Sequence, residues 1–153
     1  MIFFKDLFAN ELFVSAATGW LLAQILKTII HTFVTKDFTI ERMYGSGGMP
    51  SSHSSTVTAL ATSSYLLHGA GSSEFAISVI LAIIVMYDAR GVRRETGIQA
   101  KVLNELIELL ADVHNEIMPL DQKLKEFVGH TPLQVIAGAI LGFCIACFTH
   151  TFF

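Results

Sequence analysis

Charge is what this sequence is short of. Only 15% of its residues are Asp, Glu, Lys or Arg, while 52% are hydrophobic. Soluble domains average about 25% charged residues, so the apolar excess needs an environment other than a water-facing core. The net charge of −3 is small. No basic stripe with interleaved aromatics appears, which argues against a nucleic-acid partner. Proline is scarce, with 3 in the chain, and no stretch reads as a domain linker. One domain is the expectation for 153 residues. Cysteine is limited to Cys144 and Cys147. Their C-x-x-C spacing can mean metal or redox chemistry. No second ligand pair lies nearby, and buried cysteine more often serves as a small hydrophobe.

The long apolar runs suggest lipid. No charged residue occurs from Thr131 to Phe153, a stretch long enough to cross a hydrocarbon core of ~30 Å as a helix. Leu12–Val34 is a second such run, interrupted by Lys27, and Phe75–Tyr87 is a shorter third. The N-terminal run is too long for a signal core and lacks an obvious cleavage site, so it reads as a retained membrane helix.

Four membrane helices are predicted: about Glu11–Val34, Pro50–His68, Glu74–Tyr87 and from near Thr131 onward. Pro50 suits a first helical position because its missing N–H would be orphaned there anyway. Ile98–Ile117 differs. Its Val102, Leu106, Leu109, Leu110, Val113 and Ile117 repeat at helical spacing, with Glu105, Glu108, Asp112 and Glu116 between them. That pattern is an amphipathic helix, too charged to cross lipid, which should lie on the membrane surface or pack on the bundle. Gly138 and Gly142 form G-x-x-x-G, a spacing that lets helices approach closely in lipid. The fold class is therefore all-α: a membrane bundle of three or four helices plus one amphipathic surface helix. If that helix does not cross, Pro50–His53, Asp88–Arg94 and His130 share one face.

Gly47-Gly48-Met49-Pro50-Ser51-Ser52-His53-Ser54 is the sharpest local signal. Small residues before a helix N-terminus leave backbone N–H groups for an anion, and the helix dipole favours negative charge there. Ser51 and Ser52 add hydroxyls, and His53 can deliver a proton. A plain helix cap with an incidental histidine is the competing reading. Lys27 lies about two turns inside its helix, deep for a side chain that merely reaches to the interface. Arg93 and Arg94 are either site residues or a positive-inside anchor, and Asp88 is either a site residue or their ion-pair partner.

Three segments together carry a resemblance: Gly47–Ser54, Tyr87-Asp88-Ala89-Arg90-Gly91-Val92-Arg93-Arg94, and Gly129-His130-Thr131-Pro132. They resemble the type 2 phosphatidic acid phosphatase superfamily, which also contains vanadium-dependent haloperoxidases. The match is to its divergent membrane branch, described as acid phosphatase/haloperoxidase-related. The resemblance implies a lipid-phosphate or lipid-pyrophosphate phosphatase. His130 would be the nucleophile, forming a phosphohistidine, and His53 the general acid. Lys27, Ser51 and Ser52 would bind phosphate, with Gly48 supporting them. No metal or other cofactor is implied, because cationic side chains neutralise the phosphate charge. A phosphorylated lipid is the expected partner, and a homodimer could complete so small a bundle.

The departures from the family pattern are specific. Val34 and Thr35 stand where an Arg-Pro is usual, and Lys123 and Leu124 where a Ser-Arg is usual. Arg93 and Arg94 would then supply guanidinium charge from another place. Gln134 replaces the usual aspartate, with Asp88 as a substitute from the third helix. A binding protein that kept the anion pocket and lost turnover is the alternative. Lys36, Arg42, Arg90, Arg93, Arg94, Lys101, Lys123 and Lys125 all fall on the site face, which makes that face cytoplasmic by the positive-inside tendency.

Overall fold

The computed structural model describes residues 2–36, 48–113, 124 and 129–153, with only the backbone of 92–94 and 110–113. Six helices make up these residues: α1 (Ile2–Phe8), α2 (Glu11–Thr35), α3 (Ser52–His68), α4 (Ser73–Arg90), α5 (Val92–Val113) and α6 (Pro132–Phe152). No strand occurs among the described residues. The protein is an all-α membrane bundle.

Its burial pattern is inside-out relative to a water-soluble fold. The largest fully buried side chains are serines: Ser15, Ser51, Ser54, Ser55, Ser63 and Ser64. Leu21, Ile29, Ile80, Ile84, Ile136, Ile140 and Phe148 are exposed. Lipid tails are as apolar as leucine, so large hydrophobic residues gain nothing by facing inward, and small residues win the interface by letting backbones approach. α2, α4 and α6 each contain a stretch long and apolar enough to cross a membrane.

The centre is α3, less apolar than α2, α4 and α6. It packs against α2, α4 and α6, and at 17 residues it is ~26 Å long. Its Ser51-Ser55-Ala59 row takes two glycine faces. A side chain at Gly138 or Gly142 would collide with the carbonyl oxygen of Ser51 or Ser55. A Cβ on Gly19 would lie 3.2 Å from both the Ala59 Cβ and the Ser55 carbonyl oxygen. Ser55 Oγ also donates to the Gly19 carbonyl at 2.9 Å, deep in the bundle. Such interhelical hydrogen bonds contribute roughly 0.6–2 kcal/mol in a membrane.

Polar ties fix both ends of the bundle. At one end, Ser51 N–H donates to the Gln134 carbonyl and His130 N–H to the Ala89 carbonyl, each at 3.0 Å. At the other, His150 Nδ1 lies 2.9 Å from Glu11 Oε1. The starts of α3 and α6 and the ends of α2 and α4 therefore meet at one face.

The helix boundaries depart from expectation in three places. α3 begins at Ser52, not Pro50, because Ser51 is its N-cap and accepts from Ser54 N–H; Pro50 precedes it across a cis peptide from Met49. α4 runs on to Arg90, three residues beyond Tyr87. The amphipathic helix starts at Val92, ahead of Ile98, and Ile117 lies outside the described residues. α4 and α5 are nearly continuous. The stretch Ser73–Leu109 has 37 residues, or ~55 Å as one straight helix, well beyond a ~30 Å core. Gly91 interrupts it, with φ −89° and ψ −88° off helical values.

Gly142→Ala tests the central contact. The new Cβ would meet main-chain atoms, including Ala59 N at 3.0 Å, which cannot rotate away. Overpacking of this kind costs about 1–3 kcal/mol, and a lower midpoint of thermal unfolding in detergent is expected. Gly71→Ala, with nothing within 4 Å of its Cβ, should leave the midpoint unchanged.

Candidate functional site

The face where α3, α4 and α6 are tied holds the motif residues. His53 is the second residue of α3, in its first turn, and His130 stands just before α6. Their ring centroids are 6.0 Å apart at an interplanar angle of 62°. That separation is about two hydrogen-bond lengths. His130 is 2% exposed, so its ring is withdrawn from solvent.

Gln134 organises His130 through a helix cap. Thr131 is the N-cap of α6, and its hydroxyl accepts from Gln134 N–H at 3.4 Å. The Gln134 side chain returns, its Oε1 accepting from Thr131 N–H at 3.0 Å. This reciprocal pair is a capping box, and Pro132 occupies the first turn as a Pro-start favours. The same Oε1 lies 3.3 Å from His130 Nδ1. A backbone N–H can only donate, so the amide atom facing it is oxygen. His130 Nδ1, facing that same oxygen, must then carry the proton. The neutral ring is left with its lone pair on Nε2, the nitrogen a nucleophile needs.

Ser51 is engaged on several sides. Its N–H goes to Gln134, and its Oγ accepts from Ser54 N–H at 3.3 Å and from Ser54 Oγ at 3.1 Å. Its N–H is therefore not one of the cradle donors expected from the sequence; it holds α3 to α6. The Ser51 hydroxyl proton is still a donor. Ser52 is buried beside it.

Lys27 is 3% exposed, within a membrane helix. Gly48 explains how it is seated. Gly48 has φ +88°, and a Cβ there would stand 2.9 Å from Lys27 Cδ. The loop before α3 thus lies directly on the lysine stem. Glycine serves twice, for the left-handed backbone and for the absent side chain. Asp88 is half-buried next to Ala89, whose carbonyl receives the His130 N–H. Arg93 and Arg94 stand in the first turn of α5, just past Gly91; the placement of their side chains is outside the described residues.

Two buried polar side chains lie outside the motifs. Gln24, 8% exposed, is buried one turn before Lys27, and its Oε1 has no hydrogen-bond partner. Asn104 is buried on α5; its amide donates to the Leu124 carbonyl and accepts from Leu124 N–H, both at 3.0 Å. A lone Asn on a charged helix gives no hint of a main-chain clamp 20 residues away. No cluster of three or more His, Cys, Asp or Glu side chains suited to a metal occurs among the described residues.

A helical membrane bundle carrying these histidine motifs at one end defines a membrane protein related to the type 2 phosphatidic acid phosphatases. Residues 8–145 match the model of the Divergent PAP2 family, and the chain belongs to that family. It is 38% identical over 156 aligned residues to the uncharacterized membrane protein YuiD of Bacillus subtilis (strain 168), a match covering 97% of this chain and 99% of that protein. No solved structure matches the chain.

The tautomer argument has a direct check. In protein labelled with ¹⁵N-histidine, wild-type His130 should show a protonated Nδ1 and an unprotonated Nε2 when neutral. Gln134→Leu should give a mixture of both tautomers. It should also lose roughly 0.5–2 kcal/mol of stability with the cap.

Proposed function

We propose that the protein is an integral-membrane phosphatase acting on a phosphorylated or pyrophosphorylated lipid. The observation that carries this reading is the His53–His130 pair, 6.0 Å between ring centroids, at the end of a bundle that also buries Lys27. In the first step His130 Nε2 attacks phosphorus. The bond from phosphorus to the lipid oxygen breaks, and that oxygen takes the electron pair and a proton from His53. In the second step water attacks the phosphohistidine. His53 accepts the water's proton, the P–N bond breaks with its electrons returning to Nε2, and orthophosphate leaves. Splitting the transfer in this way is covalent catalysis, with His53 alternating as acid and base.

Lys27 supplies fixed positive charge in a site of low dielectric, where it acts on the phosphoryl oxygens more strongly than in water. Ser51 and Ser52 offer hydroxyls. Arg93 and Arg94 supply guanidinium charge from the start of α5, and Asp88 substitutes for the carboxylate that position 134 lacks. A site at the end of a membrane bundle suits a substrate whose chains stay in the bilayer. The basic residues on the site face favour its lying on the cytoplasmic side.

Gln134 favours a second reading. It orients His130, but a neutral amide does not stabilise the imidazolium as a carboxylate would. A protein that binds the phosphorylated headgroup without turning it over would keep the geometry described. Phosphate release from lipid monophosphates and pyrophosphates in mixed micelles separates the two. Wild-type protein should release phosphate, His130→Ala should abolish release, and His53→Asn should lower it by about 10²–10⁴-fold. Vanadate binding without release from any substrate would establish the binding protein instead.

A further inference from the structure

α5 has three differently made faces. Gly97, Ala100 and Asn104 are buried, and Asn104 grips the main chain of Leu124. Lys101 and Glu105 are both well exposed and pair at 3.8 Å one turn apart, with Glu108 one turn further along that side. The remaining face holds Ile98, Val102, Leu103, Leu106 and Leu109, all exposed, with Glu95 and Gln99 on the same side toward its N-terminal end. At 100° per residue the large apolar residues lie roughly opposite the buried small ones. The sequence pattern pointed to an apolar stripe that would face either the membrane surface or the bundle. The structure separates the two: the bundle side is small and polar, and the large apolar stripe faces outward.

We propose that this outward face is a lipid-binding surface, embedded along the membrane plane at the boundary between headgroups and acyl chains. Three observations select lipid as its occupant. α5 begins two residues after the end of α4, whose exposed Ile77, Ile80, Ile84 and Tyr87 form a lipid-facing side running toward it. The helix carries too many charges to enter the hydrocarbon, while its apolar face is too wide for water. The polar side sits between those two faces, where a helix lying flat would show it to the aqueous phase.

The charge count adds a distinguishing feature. α5 contains Arg93, Arg94 and Lys101 against Glu95, Glu105, Glu108 and Asp112, so acids outnumber bases by one. A polybasic surface helix is drawn to anionic lipid and released by salt. This one must be held by apolar burial, and its attachment is indifferent to both. Through Asn104 and Leu124 it also fastens the segment leading to His130, so the depth of α5 in the interface sets the height of that segment relative to lipid headgroups.

The test uses the full chain in nanodiscs, with Cys144→Ala and Cys147→Ala removing the native thiols. Environment-sensitive fluorophores are attached at single cysteines: Val102→Cys and Leu106→Cys on the apolar face, Lys101→Cys and Glu105→Cys on the polar one. All four positions are exposed, so none is required for packing. The apolar pair should be blue-shifted, quenched by nitroxide lipids labelled near the headgroup, and little quenched by aqueous iodide. The polar pair should show the reverse. Neither pattern should change with salt or with added anionic lipid. Strong iodide quenching of the apolar pair would overturn the proposal. So would quenching by nitroxide at the chain terminus, which means a spanning helix. Shielding from both quenchers with energy transfer between labelled copies would assign the face to a second copy instead. The outcome does not depend on whether phosphate is released.

Discussion

Backbone-to-backbone contact along α3 is the constraint on which the rest of the structure depends. Gly138 and Gly142 of α6 press on the Ser51 and Ser55 carbonyls, while Gly19 of α2 meets Ser55 and Ala59 from another side. In a bilayer there is no hydrophobic force to gather helices, so dispersion and short polar contacts must do it. Both require that nothing larger than a hydroxymethyl or methyl group stand in the way. The serines of α3 satisfy this and also lend hydroxyls, as Ser55 does to Gly19. A helix so rich in serine would be a poor membrane span alone. Surrounded by α2, α4 and α6, it is the one place in the bundle where such a composition has a reason.

The candidate site is the end of those same contact rows. Stepping by four residues along α6 gives His130, Gln134, Gly138, Gly142, Ala146 and His150; along α2 it gives Glu11, Ser15, Gly19, Ala23 and Lys27. The small residues bring the helices together, and the chemically capable residues close each row, Lys27 about two turns before α2 ends. Ser51 belongs to both roles: its carbonyl receives Gly138, and its N–H ties it to Gln134. Helix packing and site geometry are therefore not separable here. A change in register between α3 and α6 would move His53 relative to His130 and release Gln134 at once.

Much of this was legible in advance, for local reasons. The G-x-x-x-G pair, the start of α6 near Thr131 and the amphipathic period of α5 are all written within one or two turns of sequence. The histidine motifs were legible because their spacing around Pro50 and Pro132 is specific. What escaped was non-local. Nothing in Asn104 or Leu124 singles them out until the chain folds back, and Glu11 finds His150 only because α2 and α6 lie antiparallel. The burial of α3 over its exterior neighbours is likewise a property of assembly: hydropathy ranks it below α2, α4 and α6, and the bundle places it at their centre. The start of α3 was misjudged by two residues because Pro50 satisfies the preferences of a first helical residue, yet Ser51 competes better as a cap.

Gln134 shows how such a site balances charge. A carboxylate there would stabilise an imidazolium, but it would also bring a full negative charge into a site where His130 is 2% exposed. Burying a charge costs several kcal/mol unless it is well paired. An amide avoids that cost and still does the geometric task, because its oxygen is held by Thr131 N–H and in turn holds His130 Nδ1. In the reaction proposed above, an amide at this position would give the covalent step less support and the binding step less repulsion. The amide thus keeps the orientation of His130 without burying a carboxylate beside it.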